Sequence, residues 1–236
     1  MSSHNLREVK LPVKLVPAVL IILLLFYTGS HAVRSLASEA TSYPAILQLY
    51  KGQKYPGKFT AQRWSNIQGR LEKSLHVEPG KPELLHHLGN VHMVQYRYAS
   101  DSDGRAIAAR QLASGYFRQA IELRPTWPHD RYSYLLASYR LGEISEEFNR
   151  QLLLLNRLGP WEAGVQQITA EIGLQLGDQL PPDIREIVTA SIINGVRHPD
   201  GYKVMLGLLR RYNSLDLVCG KVTDKNVTDF CNRNLK

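Results

Sequence analysis

The sequence predicts an all-α chain: one membrane-spanning helix followed by a solenoid of helical hairpins. Three observations carry this. Residues Leu15 to Thr28 form a nearly unbroken apolar run. From Phe59 to Tyr212 apolar residues recur at three- and four-residue intervals between proline and glycine stops, with none of the alternation a half-buried strand needs. A proline-terminated phrase also returns: Ser74-Leu75-His76-Val77-Glu78-Pro79 is echoed by Ala120-Ile121-Glu122-Leu123-Arg124-Pro125, 46 residues later.

The apolar run has two readings. A cleavable signal peptide needs a basic start, a short apolar stretch and small residues at the cut, which Ser30-His31-Ala32 supplies. A spanning helix needs about 20 mostly apolar residues, and Leu11 to Ala32 reaches that length if Lys14 snorkels to the headgroups. No acidic residue lies between Glu8 and Glu39. The Leu/Ile-rich core and the length of the stretch favour an uncleaved anchor. Arg7, Lys10 and Lys14 precede the run and only Arg34 follows closely, so the positive-inside tendency puts the N-terminus in the cytoplasm. Residues 1–33 are thus expected to be a cytoplasmic tip and anchor.

Residues 34–58 read as a linker with a short helix at Pro44–Lys51, since Ser35 to Ser42 is small and polar and Gly52, Pro56 and Gly57 break structure. The helical domain spans 59–212. Its first helix carries Trp64, Ile67, Leu71 and Leu75 on one stripe and stops at Pro79-Gly80. Pro82 opens the next, with Leu84, Leu85, Leu88, Val91 and Val94. Tyr98 to Arg105 is a loop. A third helix is expected to bury Ile107, Leu112, Ala113, Tyr116, Phe117, Ala120 and Ile121 and ends at Pro125. Pro128 starts a fourth, with Tyr134, Leu135, Ser138, Tyr139 and Leu141 inward, which stops at Gly142. Ser145 is a good N-cap, with Glu146 and Glu147 in the first turn where the helix dipole favours negative charge. Further helices are expected at Trp161–Leu176, Pro182–Val196 and Asp200–Tyr212, and an irregular tail at 213–236.

Helix pairs with proline stops call for a repeat. The 46-residue spacing exceeds the 34-residue tetratricopeptide period by the length of a loop inserted at 98–110. With that gap, residues 82–125 resemble a tetratricopeptide repeat. Leu88-Gly89 stands at the Leu-Gly of its first helix, Ala113, Phe117 and Ala120 at the small, aromatic and small positions of its second, and Pro125 at the closing proline. Residues 128–160 form a more degenerate unit. The helix ending at Pro79 resembles the second half of a repeat whose first half is lost or replaced. Such units cannot bury their own apolar faces, so they stack and leave a concave groove that takes peptides or helices.

Two phrases support a narrower resemblance: Leu123-Arg124-Pro125-Thr126-Trp127-Pro128 and Arg157-Leu158-Gly159-Pro160-Trp161-Glu162. With Phe117-Arg118-Gln119-Ala120 and the N-terminal anchor, they resemble the VpsP family of bacterial exopolysaccharide-biosynthesis proteins, over roughly residues 60–180. That resemblance implies a small inner-membrane protein and no catalytic residues.

Composition sets outer limits. The net charge is +8, of which the first 34 residues hold +3, four cations against Glu8. The rest is spread thinly, with no basic run interleaved with aromatics, so no nucleic-acid partner is expected. Cys219 and Cys231 lie close in sequence and fit a structural disulfide; Cys-x-x-Cys redox spacing and further zinc ligands nearby are lacking. His86, His87 and His92 are spaced by one, five and six residues, which does not set two ligands on one helix face. Asp101-Ser102-Asp103-Gly104 begins like a calcium loop, but its twelfth position is Leu112. Glu171, Asp178, Asp183 and Glu186 are read as exposed helix-end acids. No cofactor, metal or catalytic residue is expected.

Together these features predict a non-catalytic scaffold, anchored in a bacterial inner membrane with its bulk in the periplasm, that assists exopolysaccharide synthesis or export by binding other envelope or polysaccharide-assembly proteins. A pilus or secretion adaptor is the alternative, and a glycan-active enzyme the outlier. The expected contact residues are Tyr96, Tyr98, Tyr132, Tyr134, Tyr139 and Trp127. Trp127 and Trp161 have two readings, as staples packed into the core or as exposed platforms.

Overall fold

The computed structural model describes residues 16–234. They form ten α-helices: α1 (Val16–Lys54), α2 (Ala61–Val77), α3 (Pro82–Gln95), α4 (Gly104–Leu123), α5 (Pro128–Leu141), α6 (Glu146–Leu158), α7 (Ala163–Leu176), α8 (Pro182–Arg197), α9 (Tyr202–Arg211) and α10 (Lys225–Asn234). No strand occurs among the described residues. The chain is all-α. Leu15 and the cations Arg7, Lys10 and Lys14, on which the expected orientation rests, lie outside the described residues.

Local chemistry sets the helix ends. Pro82, Pro128 and Pro182 each occupy a first turn, where the missing N–H is not needed. The side chains of Thr60, Asp103 and Ser145 cap α2, α4 and α6 by accepting from backbone N–H groups. Gly142 closes α5 at φ 74°, a left-handed backbone suited to glycine.

Successive helices pack as antiparallel hairpins, α1 on α2, α3 on α4, α5 on α6 and α7 on α8. The first helices of these hairpins also touch one another in series, α1 with α3, α3 with α5, and α5 with α7. This is the arrangement of a tetratricopeptide-like solenoid. Its core has two parts. Leu49, Trp64, Ile67, Leu71, Leu84 and Leu88 fill the first hairpin and its junction with α3. A larger core runs from α4 to the C-terminus and includes Phe117, Leu135, Phe148, Leu152, Ile172 and Ile192.

Two expectations are corrected. Residues 34–54 are not a linker, because α1 continues unbroken to Lys54, through Pro44. Ser38, Ser42, Ala45, Leu49 and Gly52 form its buried face. Small residues at helical spacing bring α1 close to α2, and Ser74 Oγ donates to the Ser38 carbonyl at 3.0 Å. Gly52 lets the Trp64 ring lie directly on the backbone; a Cβ there would sit 2.4 Å from the indole. The lower half of α1 is therefore the first helix of the opening hairpin, which is replaced rather than lost. The tail is not irregular either. It carries α10, held by the Cys219–Cys231 disulfide and by buried Val218, Val222 and Val227.

An 18-residue window of α1 has a mean hydropathy of 2.0, and none of it is buried against the protein. By length and composition that part of α1 can cross a bilayer.

Candidate functional site

The concave side of the stack holds a groove of 420 Å³. Gln53 of α1, Asn90, Met93 and Val94 of α3, Tyr132, Ser133, Leu136 and Arg140 of α5, and Glu171 of α7 line it. Tyr96 and Arg97 close the rim just after α3, while Arg110 and Phe117 of α4 reach up from below. The floor is apolar, made by Met93, Val94, Phe117 and Leu136.

The charges are unequal in freedom. Arg97 Nη1 donates to the Gln53 carbonyl at 3.1 Å, capping the negative end of α1. Arg110, only 4% exposed, pairs with Asp101 at 2.9 Å and donates to the Arg140 carbonyl at 3.4 Å. Two of the three arginines are thus already engaged. Glu171 is half-buried and has no ion pair among the described residues. Burial raises the Tyr132 phenol above its ordinary pKa; Glu171 adds to the rise and Arg97 opposes it. Burial, with help from Tyr212 and Glu171, pushes Tyr139 up to about 12. Both phenols are neutral hydroxyls at physiological pH. The groove can therefore offer an apolar bed, neutral hydrogen-bonding groups and one uncommitted carboxylate.

The expected contact residues divide. Tyr96 and Tyr132 line the groove. Tyr134 is 9% exposed and belongs to the core, because two residues along a helix turn its side chain by about 200° from Tyr132. Tyr139 packs against the same core, and its buried hydroxyl has no hydrogen-bond partner among the described residues. Tyr98 is exposed on the loop after α3, outside the groove. Trp127 and Trp161 are both exposed, so neither staples a helix start into the core. Arg124 lies 5.4 Å from the Trp127 ring. Glu171 is no exposed helix-end acid: it is half-buried, sits mid-helix in α7 and lines the groove. Periodicity alone missed Met93, Leu136 and Glu171. The usable signal was their place on the first helix of each hairpin.

The histidines do not converge. His86 bonds to Asp130, His87 packs edge-on to Tyr50, and His92 stacks on Tyr116. Among the described residues no group of three His, Cys, Asp or Glu side chains is placed to hold a metal ion.

Asp130 anchors the junction of α3, α4 and α5. It is fully buried and accepts from Arg124 at 2.6 and 3.0 Å, with His86 Nδ1 at 2.7 Å. Burial alone would push the carboxyl up, but the hydrogen bonds and charges of His86 and Arg124 outweigh it and hold it below the ordinary value. A depressed folded pKa means its stabilisation is present above pH ~4, the unfolded value, and is lost as pH falls through the folded one. Asp130→Asn is expected to cost about 2 kcal/mol at neutral pH and to flatten the acid limb of the stability profile, as measured by denaturant titration at several pH values.

Residues 49–170 match the family profile of the plant-specific mitochondrial import receptor subunit TOM20. The chain belongs to this TOM20 family. The TOM20 match covers more than half of the 236 residues, from within α1 to within α7. It includes every groove residue except Glu171, which follows it directly. No curated protein matches the chain.

This match overturns the exopolysaccharide resemblance and, with it, the bacterial inner-membrane and periplasmic placement, the polysaccharide-assembly partners and the pilus or secretion alternative. The cause lies in the phrases that carried it. Leu123 to Pro128 and Arg157 to Glu162 are corners between hairpins, α4 to α5 and α6 to α7. Pro125, Pro128, Gly159 and Pro160 stop and start helices there, and the tryptophans between them are exposed. Such punctuation is required of any stacked-hairpin chain and does not distinguish families. The TOM20 family is one of receptor subunits, in line with a chain that is not an enzyme.

Proposed function

We propose that this chain is a non-catalytic receptor subunit for mitochondrial protein import, held at the mitochondrial outer membrane by α1, and that its concave groove holds the amphipathic helix of a targeting segment. The observation that carries this is the coincidence of the TOM20 match with the groove: the matched residues supply its entire apolar floor. Targeting segments of this kind are amphipathic, rich in arginine and poor in acids. An amphipathic helix docks its apolar face in a hydrophobic groove through residues spaced by three and four. Met93 and Leu136 suit that face, with Val94 and Phe117 buried beneath them. Glu171 is the free carboxylate that receives one arginine, while Arg97 and Arg140 turn the remaining cations toward solvent.

The test is a titration of the full chain, reconstituted in nanodiscs, with a fluorescent arginine-rich amphipathic peptide and a scrambled control of equal charge. The apolar-faced peptide binds and the scrambled one does not. Leu136→Arg sets a cation in the apolar floor and weakens binding at least about tenfold, the loss of one central contact. Glu171→Gln weakens it a few-fold and reduces its salt dependence, as expected of one partly exposed ion pair. Equal binding of both peptides would count against the groove as a receptor site.

A further inference from the structure

A second concavity lies on the opposite side of α1. It is a depression of 510 Å³ lined by Gln48 and Lys51 of α1, Tyr55, Lys58 and Phe59 of the connection, and Arg63 of α2. At about 100° per residue, Gln48 and Lys51 face roughly 170° away from Gln53, the α1 residue in the groove. The Lys54 and Lys58 ammonium groups stand 5.4 and 5.1 Å from the Tyr55 ring centre, and the Arg63 guanidinium 5.6 Å from that of Phe59. None of these four cations has an ion pair among the described residues. From Ala40 to Leu71 the sequence contains five cations and no acidic residue.

The C-terminal dipole of α1 accounts for Lys51 and Lys54. It does not account for Lys58 and Arg63, which lie beyond that helix and converge on the same two rings. Lys51, Lys58 and Arg63 line the depression and Lys54 stands over its Tyr55 ring; no carboxylate pairs with any of them among the described residues, and an external anion relieves their mutual repulsion. We propose that this depression docks an acidic segment of a protein partner, its carboxylates on Lys51, Lys54, Lys58 and Arg63 and an apolar side chain against Tyr55 and Phe59.

Charge complementarity names the occupant, and position excludes its rivals. With α1 upright, Lys51 stands roughly 20 Å beyond a hydrocarbon core of about 30 Å, out of reach of the headgroups. Three of the cations line a single hollow and the fourth, Lys54, stands over one of its rings, whereas a nucleic-acid strand needs them tracked along its backbone. The site is independent of the groove and of what the groove binds.

The test uses the full chain in zwitterionic nanodiscs and a fluorescent Glu-rich peptide of about a dozen residues, followed by anisotropy at low ionic strength. The peptide binds, salt weakens it, and the Leu136→Arg groove variant binds it unchanged. The combined Lys51→Gln, Lys54→Gln, Lys58→Gln and Arg63→Gln variant, with helicity checked by circular dichroism, binds at least about tenfold more weakly, the sum of four exposed charge pairs of ordinary strength. Failure of the wild-type chain to bind, equal binding by the variant, or tighter binding of an oligonucleotide of equal charge would each overturn the proposal. So would loss of the bound peptide when anionic lipid is added to the nanodisc.

Discussion

Phe117→Ala is expected to destabilise the chain by about 3–5 kcal/mol, the range for emptying a buried aromatic site. Phe117 is fully buried and stands where the two helices of the second hairpin meet. The Leu88-Gly89 pair exists for it. A Cβ at Gly89 would lie 2.4 Å from the Phe117 ring, so glycine is what lets α3 close over it. The His86 ring, one turn back on the same face of α3, sits 5.7 Å from the Phe117 ring and links the site to Asp130. Phe117 also lies directly beneath the groove floor, so its loss opens space under the apolar bed and removes its support. Denaturant titration gives the stability change, and peptide titration gives the binding loss. A double-mutant cycle with Gly89→Ala sharpens the test. Alone, that methyl group must displace the ring; in the Phe117→Ala background it enters the vacated space. The two changes should therefore be strongly non-additive. A small, additive loss would mean that Phe117 does not hold the hairpin together.

Cys219→Ser is expected to cost about 3 kcal/mol, the loop-closure contribution for so short a loop. The disulfide spans a sequence separation of 12 and ties α10 to the segment after α9. Val218, Val222 and Val227 are buried in the same core cluster as Cys231 of α10. Removing the bond should raise hydrogen exchange in α10 and α9 while leaving α3, α5 and α7 protected. Peptide binding in the groove should be unchanged, because every groove-lining residue lies well before the tail. Reduction with dithiothreitol should reproduce the effect. Loss of protection across the whole chain would show instead that the tail is part of one cooperative unit.

Much of this architecture was legible because its signals are local. Pro79-Gly80, Pro125 and Gly142 interrupt the helical stripes, and no other chemistry competes with them at those points. The upper and lower halves of α1 were harder to join. Ser38, Ser42, Ala45 and Gly52 have the composition of a linker, and only the partner helix reveals that they are a close-packing face. The groove was half legible. Tyr96 and Tyr132 stand out by type; Tyr134 and Tyr139 share that type, but they stand on the inward stripe of α5 and pack against the core. Met93 and Leu136 look like ordinary core residues until the stacking order exposes them. The family was not legible from the hairpin corners, since any chain with these turns needs similar residues there.

The most direct test of the receptor account is site-specific photocrosslinking of the full membrane-bound chain to an arginine-rich amphipathic targeting peptide. With the photoreactive group at position 136 or 96, in the groove, the peptide should crosslink, and excess unlabelled peptide should suppress the product. With the group at position 112, exposed on α4, no product should form. Crosslinking at position 112 with none at positions 136 and 96 would contradict the account.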